Sequence, residues 1–287
     1  MRVLAADLRY IEKRAPPLNR ARIAVVGAQG FIGFELMAYF EYAGISARGF
    51  DRGATADLGD PTHIMFLAGI ADPAQYQLYP KDTLEATRLL WDVLDRYPKT
   101  RILYFSSSEV YGDAQVPMHE SRLGASQLAG ARAVYAEGKR FGEMLVQQHE
   151  NASIVRPFNN YGPGLKRSDS RAPARFAYAA HDGKPLEVHA GSGTRTYCYV
   201  ADAIVGYLMA LVGPSGTYNI GAELPELTAI ELALHFSQDF RLIPAPSWTR
   251  EFRRIPDLTR ARTLGYEPGI SIEEGIRRFM EFLDSPT

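Results

Sequence analysis

RIAVVGAQGFIG, residues 22–33, decides how the rest of the chain is read. Five residues of apolar strand character run into a turn with glycines at 27, 30 and 33, and the turn opens a stretch of helical periodicity over 31–42. Gly27 permits the tight turn, Gly30 lets backbone amides approach a pyrophosphate, and Gly33 lets the helix pack closely on the strand. The unpaired N–H groups of the helix N-terminus then face the anion. A glycine-rich turn also arises for purely structural reasons, but here strand, spacing and helix agree. Asp51 follows the next strand-like run at the separation of about 20 residues expected of an acid that binds the ribose hydroxyls. Such an acid repels a 2′-phosphate and so favours NAD, while Arg48 and Arg52 nearby would suit NADP.

Outward from this stretch, short apolar runs alternate with helical patterns. ARGF (47–50), IMFL (64–67), ILYF (102–105) and SIV (153–155) have strand length, and 31–42, 83–97 and 132–149 have helical periodicity. That βαβα order predicts an α/β fold with a doubly wound parallel sheet of Rossmann type. After Arg156 proline and glycine become frequent (PFNNYGPG, GKPL, AGSGTR), which predicts a smaller C-terminal substrate-binding lobe. Residues 1–158 are assigned to the dinucleotide-binding domain, with 198–212 returning to it, and 159–197 and 213–287 to the lobe. VADAIVGYLMALV (200–212) and the stretch 272–283 read as helices. The N-terminal segment reads as a short amphipathic helix stopped by Pro16-Pro17.

Composition narrows the function. The 287 residues are 46% hydrophobic and 23% charged, and 32 Lys plus Arg against 33 Asp plus Glu give a net charge of -1. No polyanion-binding surface follows from that balance, so nucleic acid is not an expected partner. A single cysteine, Cys198, excludes an intramolecular disulfide and fits a reducing compartment. The six histidines lack metal-ligand spacing, so no metal is expected. No run approaches the ~20 apolar residues of a membrane span, and the N-terminus lacks the features of a signal peptide. A cytoplasmic protein is expected.

Two further motifs carry chemistry. In YAEGK (135–139), the spacing of four places the Tyr135 phenol and the Lys139 ammonium on one helix face. A nearby cation stabilises phenolate and brings the tyrosine pKa toward working pH. SSSEVYG (106–112) follows the ILYF strand directly, at the carboxyl end where open α/β sheets place ligands. A surface Tyr–Lys pair and a serine-rich loop are the bland alternatives, and the position downstream of a nucleotide fold weighs against both.

Together the GxxGxxG turn, SSSEVYG, YxxxK and RPFNNYGPG resemble the extended short-chain dehydrogenase/reductase family, from about Arg22 to the C-terminus. Within it the chain resembles NAD-dependent nucleotide-sugar epimerases, dehydratases and decarboxylases. PAQYQLYPKDTLEAT, YAEGKR, RRIPDLTRAR and LGYEP are most similar to segments of UDP-glucuronate decarboxylases (UDP-xylose synthases). Ser108-Glu109 points the same way, since the 4,6-dehydratases usually carry Asp-Glu there and simple 4-epimerases lack the glutamate.

The resemblance implies roles. Ser107 orients the hydroxyl on carbon 4 of the sugar, Tyr135 takes its proton, and Lys139 supports the tyrosine and the nicotinamide ribose. Glu109 and Arg254 manage the proton and the carboxylate at carbon 5. Ser108, Asn159, Arg195 and Arg254 bind substrate. Gly27, Gly30, Phe31, Ile32, Gly33, Asp51, Arg52, Asp57, Leu58, Leu67, Ala68 and Gly69 join Tyr135 and Lys139 in contacting NAD. The substrate implied is a UDP- or dTDP-linked sugar, and the assembly a homodimer through the helices at 83–97 and 132–149. UDP-glucuronate decarboxylation leads. A nucleotide-sugar 4-epimerase, a 4,6-dehydratase and a non-catalytic NAD-binding protein are the other readings. The chain departs from the family at residues 52–62, too short for the usual helix and strand. It departs also near Thr87, where an asparagine is expected, and in the compressed stretch 237–249.

Overall fold

The computed structural model describes residues 3–51, 53–70, 75, 78–125, 133–189, 191, 193–245 and 253–285. The elements, in chain order, are α1 (Ala5–Arg14), β1 (Arg22–Val26), α2 (Phe31–Tyr42), β2 (Ser46–Phe50), β3 (His63–Phe66), α3 (Pro80–Arg96), β4 (Arg101–Phe105), a 3₁₀ turn (Ser108–Tyr111), α4 (Ala133–Val146), β5 (Ala152–Pro157) and β6 (Asn160–Tyr161). There follow α5 (Ala172–His181), β7 (Leu186–His189), β8 (Cys198–Tyr199), α6 (Val200–Val212), β9 (Thr217–Ile220), α7 (Ala229–Leu234), β10 (Phe240–Ile243), α8 (Thr259–Arg262) and α9 (Ile272–Asp284).

Six strands form one sheet in the order β2-β1-β3-β4-β5-β9, every pairing parallel. A parallel sheet covered on both faces needs apolar residues at consecutive positions, and this explains why RIAVV and RILYF do not alternate with polar residues. The pleat divides them between two cores. Ile23, Val25, Met65, Leu103, Phe105 and Val155 pack on one face with α1, α2 and α6 residues such as Ile11, Leu36 and Ile204. Ala24, Val26, Ile64, Phe66, Ile102, Tyr104 and Ile154 pack on the other with Leu90 and Val93 of α3 and Val146 of α4.

The expected elements form, with ends shifted by a few residues. Residues 51–62 carry no helix or strand among those described, so β2 pairs only with β1 and leaves its outer edge open. Those twelve residues are used up in crossing from β2 over β1 to the parallel strand β3, which leaves none for a further strand and the helix that would connect it. Thr217–Ile220, within the 213–287 stretch assigned to the lobe, instead supplies the sixth strand of the main sheet beside β5. Its four residues between Gly216 and Gly221 are too few for periodicity to register. Two small parallel pairs, β7 with β10 and β6 with β8, lie outside the sheet. The N-terminal helix ends at Arg14, just ahead of Pro16.

Candidate active site

The chain leaves β1 toward β2 on one side and returns through β3 on the other, so the strand order reverses between β1 and β3. Open α/β sheets bind ligands at such a switch point, beyond the carboxyl ends of the strands. A cleft of about 320 Å³ lies there, lined by Gly27, Gly30, Phe31, Ile32 and Gly33 after β1, Leu67 and Gly69 after β3, Ser106–Glu109 after β4, Pro157 at the end of β5 and Asn159 beyond it, and Tyr135 and Lys139 of α4.

The glycine turn is shaped by its neighbours. Gly27 has φ of 99°, a region that disfavours a side chain, and a Cβ there would stand 3.0 Å from the backbone of Leu67 and Ala68. A Cβ on Gly33 would collide with the Gly27 carbonyl. Gly30 caps α2 without a side-chain hydrogen bond, leaving backbone N–H groups directed at the cleft. This cradle fits the pyrophosphate of a dinucleotide. Asp51 directly follows β2, and its carboxylate accepts from the Gln29 N–H at 2.8 Å, tying the turn to the sheet edge.

Not every expected cofactor contact borders the cleft. Ala68 faces the small hollow behind Lys139 instead. Asp57 is exposed and pairs with Arg96 of α3 at 3.2 Å, and Leu58 is buried in the core beside that helix. Arg52 lies outside the described residues.

The catalytic candidates converge. Tyr135 and Lys139, one turn apart on α4, are 6% and 8% exposed and share the cleft with Ser107. Lys139 Nζ donates to the Phe105 carbonyl at 2.7 Å and lies 5.8 Å from the Tyr135 ring centre. Burial pushes the Lys139 ammonium down to about 8, and the Glu143 charge opposes that fall. Ser107 caps the 3₁₀ turn, its Oγ accepting from the Glu109 N–H at 3.1 Å.

Beyond the serines, Glu109 and Arg254 form an ion pair at 2.7 Å, each side chain 7% exposed. Arg254 also reaches the Ser108 hydroxyl at 3.4 Å. The backbone places this arginine. The Arg254 N–H donates to the Thr194 carbonyl at 3.0 Å, and Arg195 exchanges hydrogen bonds with Leu227 at 2.9 and 2.8 Å. Two stretches remote in sequence therefore bring Arg195 and Arg254 side by side. Asn159, at φ of 41°, holds the same strip through Nδ2, which donates to the Thr196 carbonyl at 2.8 Å.

The far wall was not foreseen. Arg171, Arg175 and Phe176 of the α5 region, His189 of β7 and Tyr197 complete the cleft. Arg171 is chelated by Asp169 at 2.8 and 2.5 Å. Arg175 donates to the Glu187 carbonyl at 2.7 Å and sets one guanidinium nitrogen 3.4 and 3.3 Å from the two ring nitrogens of His189. Burial, and then the Arg175 charge, hold His189 below its ordinary pKa. In the sequence, arginines in an amphipathic helix read as a solvated face, so nothing there signals this wall.

Comparison with known proteins agrees with this geometry. Residues 23–221 match the model of the NAD dependent epimerase/dehydratase family. UDP-glucuronic acid decarboxylase 5 of Arabidopsis thaliana is 35% identical over 233 residues, covering 74% of this chain and 67% of that protein. Among solved structures, epimerase Mth375 of Methanothermobacter thermautotrophicus superposes with a TM-score of 0.82 at 21% identity, covering 98% of this chain and 96% of that one. MoeE5, in complex with UDP-glucuronic acid and NAD, superposes with a TM-score of 0.75 at 20% identity, covering 92% and 99%.

Proposed function

The chain belongs to the NAD dependent epimerase/dehydratase family, and from that premise we propose that it decarboxylates a UDP-linked glucuronic acid through transient oxidation at carbon 4 of the sugar. The buried Glu109–Arg254 pair at the serine end of the cleft carries the choice among the family's reactions. A cation there receives a sugar carboxylate, and a carboxyl group beside it supplies or takes a proton at carbon 5. A neutral hexose offers no carboxylate to the cation, so Arg254 rather than the glutamate alone makes the distinction. The likeness to UDP-glucuronic acid decarboxylases supports the same choice.

The residues divide the work. Gly27, Gly30, Phe31, Ile32 and Gly33 would hold the pyrophosphate of NAD through backbone N–H groups, and Asp51, beside the turn on the Gln29 N–H, would be the acid available to its ribose. When bound, NAD would supply the hydride-accepting and hydride-returning chemistry that oxidation and later reduction at carbon 4 require. Ser107 Oγ orients the carbon-4 hydroxyl, and Tyr135 Oη takes its proton, helped by the positive charge of Lys139. With a ketone at carbon 4, the carboxylate on carbon 5 is β to a carbonyl. The C–C bond to it breaks, CO₂ leaves, and the electron pair passes into an enolate; a proton taken up from solvent by the Glu109 carboxylate is then delivered to carbon 5. Arg254 orients the departing carboxylate, while Arg195 and Asn159 hold the diphosphate side, a task suited to the guanidinium fork.

Mass analysis of the product tests the reading. Incubated with UDP-glucuronate, the enzyme is expected to release CO₂ and a UDP-pentose. A product of unchanged mass would make it a 4-epimerase, and a stable 4-keto-6-deoxy sugar from a UDP- or dTDP-hexose would make it a dehydratase.

We infer a homodimer through α3 and α4. Leu84 and Trp91 on α3 and Val134, Phe141 and Met144 on α4 are all at least 43% exposed, and with Arg88 and Glu137 most of them border one shallow groove. An apolar patch of that kind on two adjacent helices suits a two-fold contact with a second copy of the chain. A homodimer is expected in light scattering, at twice the 31.9 kDa of the chain. Trp91→Glu with Phe141→Glu should leave a monomer, and a monomeric native protein would remove this assignment.

A further inference from the structure

One buried ionised group near the cleft has no part in the chemistry described so far. Glu143 lies one helical turn beyond Lys139 on α4 and is 3% exposed. Both carboxylate oxygens are held by Arg156 of β5, Oε1 accepting from Nε at 2.9 Å and Oε2 from Nη2 at 2.6 Å. Oε1 also accepts from the Ser106 hydroxyl. Arg156 is fixed in turn by the Tyr111 hydroxyl and the Glu120 carbonyl, each at 3.0 Å, and Tyr111 donates to Asn219 at 2.6 Å. Glu143 thus grips the residue between Phe105, whose carbonyl holds the Lys139 ammonium, and Ser107.

We propose that Glu143, clamped by Arg156, is a positioning residue that keeps Lys139 a cation and fixes the strand end bearing Ser107. The proposal rests on the reading of Tyr135 and Lys139 as the proton-handling pair. Burying a charged carboxylate is costly, and deleting one member of a buried pair strands the other without compensation. A neutral hydrogen bond would anchor Ser106 as well, so the charge itself calls for a reason. Lys139 supplies one, because burial favours its neutral form and a neutral amine would not stabilise a phenolate. Among the described residues, the ammonium also meets Tyr135 on its own helix, the Tyr104 ring at 5.1 Å and the Phe105 carbonyl. Glu143 is the negative charge that raises the lysine.

The sign is opposite for the two members of the clamp. The Lys139 cation is present below its midpoint and lost above it. Glu143→Gln removes the attraction and leaves Arg156 repelling, so the midpoint should fall by about one unit or more. Arg156→Gln leaves Glu143 unopposed, so the midpoint should rise.

The experiment reads Lys139 directly, by NMR titration of its ¹³Cε in lysine-labelled full-length protein, with the resonance assigned through Lys139→Met. It needs no substrate, so a wrong choice of substrate leaves it intact. Rates against pH provide the second readout, where the alkaline decline should move with the midpoint. Glu143→Asp retains the charge and should stay near the wild type. If a single variant fails to fold, the double variant Glu143→Gln with Arg156→Gln leaves neither member of the clamp as a lone buried charge, and its midpoint should still lie below the wild type. Opposite shifts in the single variants, or the lowered midpoint in the double, support the proposal. An unchanged Lys139 midpoint, even with lower rates at every pH, overturns it and leaves Glu143 a structural tie.

Discussion

Tyr135→Phe should lower kcat by roughly 100- to 10,000-fold, the range that a positioned proton-transfer group contributes. The change removes one oxygen from a ring that is already buried in the wall of the cleft, so the fold should persist. NAD binding should persist too, since the glycine turn on α2 is a separate element. The loss should therefore fall on kcat far more than on KM, the signature of an interaction made as the proton moves. Measured as initial CO₂ release from UDP-glucuronate with cofactor content checked in parallel, a variant within about tenfold of the wild type would exclude the phenol from the chemistry. Lys139 adds a pH signature. With its midpoint at about 8, the wild-type rate should decline as pH rises through that value, because the cation that favours phenolate is then lost. Tyr135→Phe should be flat there, its residual rate no longer depending on a phenolate.

That the pair could be read from sequence at all follows from its locality. Tyr135 and Lys139 lie on one helix, where a spacing of four fixes their relation whatever the tertiary structure. The glycine turn is local in the same sense, and the strands were legible because a sheet covered on both faces demands unbroken apolar runs. What escaped is non-local. β9 is a four-residue strand whose identity depends on lying beside β5. Arg175 and His189 meet only because α5 packs beside β7, and Glu143 and Arg156 only because α4 packs beside β5. Asp57 shows the opposite failure, since a motif position was preserved while the shortened 51–62 connection turned the side chain toward Arg96. Arg254 was legible only through resemblance. In the sequence it is one arginine of a pair, and nothing local separates it from Arg253, which pairs outside with Glu226 at 2.6 Å.

Arg254→Leu should both destabilise the protein and stop decarboxylation, and separating those effects decides what the ion pair is for. Removing the guanidinium leaves Glu109 buried without its 2.7 Å counter-ion, a loss on the order of 3–5 kcal/mol. Such a loss would by itself explain weak activity. The double variant Glu109→Gln with Arg254→Leu removes that complication, because replacing both ions together is often neutral or stabilising. Its thermal midpoint should return to within a few degrees of the wild type, a span of about 1 kcal/mol for a chain of this size. If the pair serves only the fold, turnover should return with stability. If Arg254 receives the sugar carboxylate and Glu109 handles the proton at carbon 5, the double variant should remain at least about 100-fold impaired in CO₂ release. A charge-assisted contact of 1.5–3 kcal/mol lost at the carboxylate accounts for roughly a tenfold to hundredfold share of that deficit. The lost proton transfer accounts for the remainder. Binding of UDP alone, which has no carboxylate, should be unchanged in the same variant, so calorimetry with UDP separates a damaged cleft from a missing contact. A refolded double variant that decarboxylates at the wild-type rate would return Glu109 and Arg254 to a structural role and reopen the choice among the family's reactions.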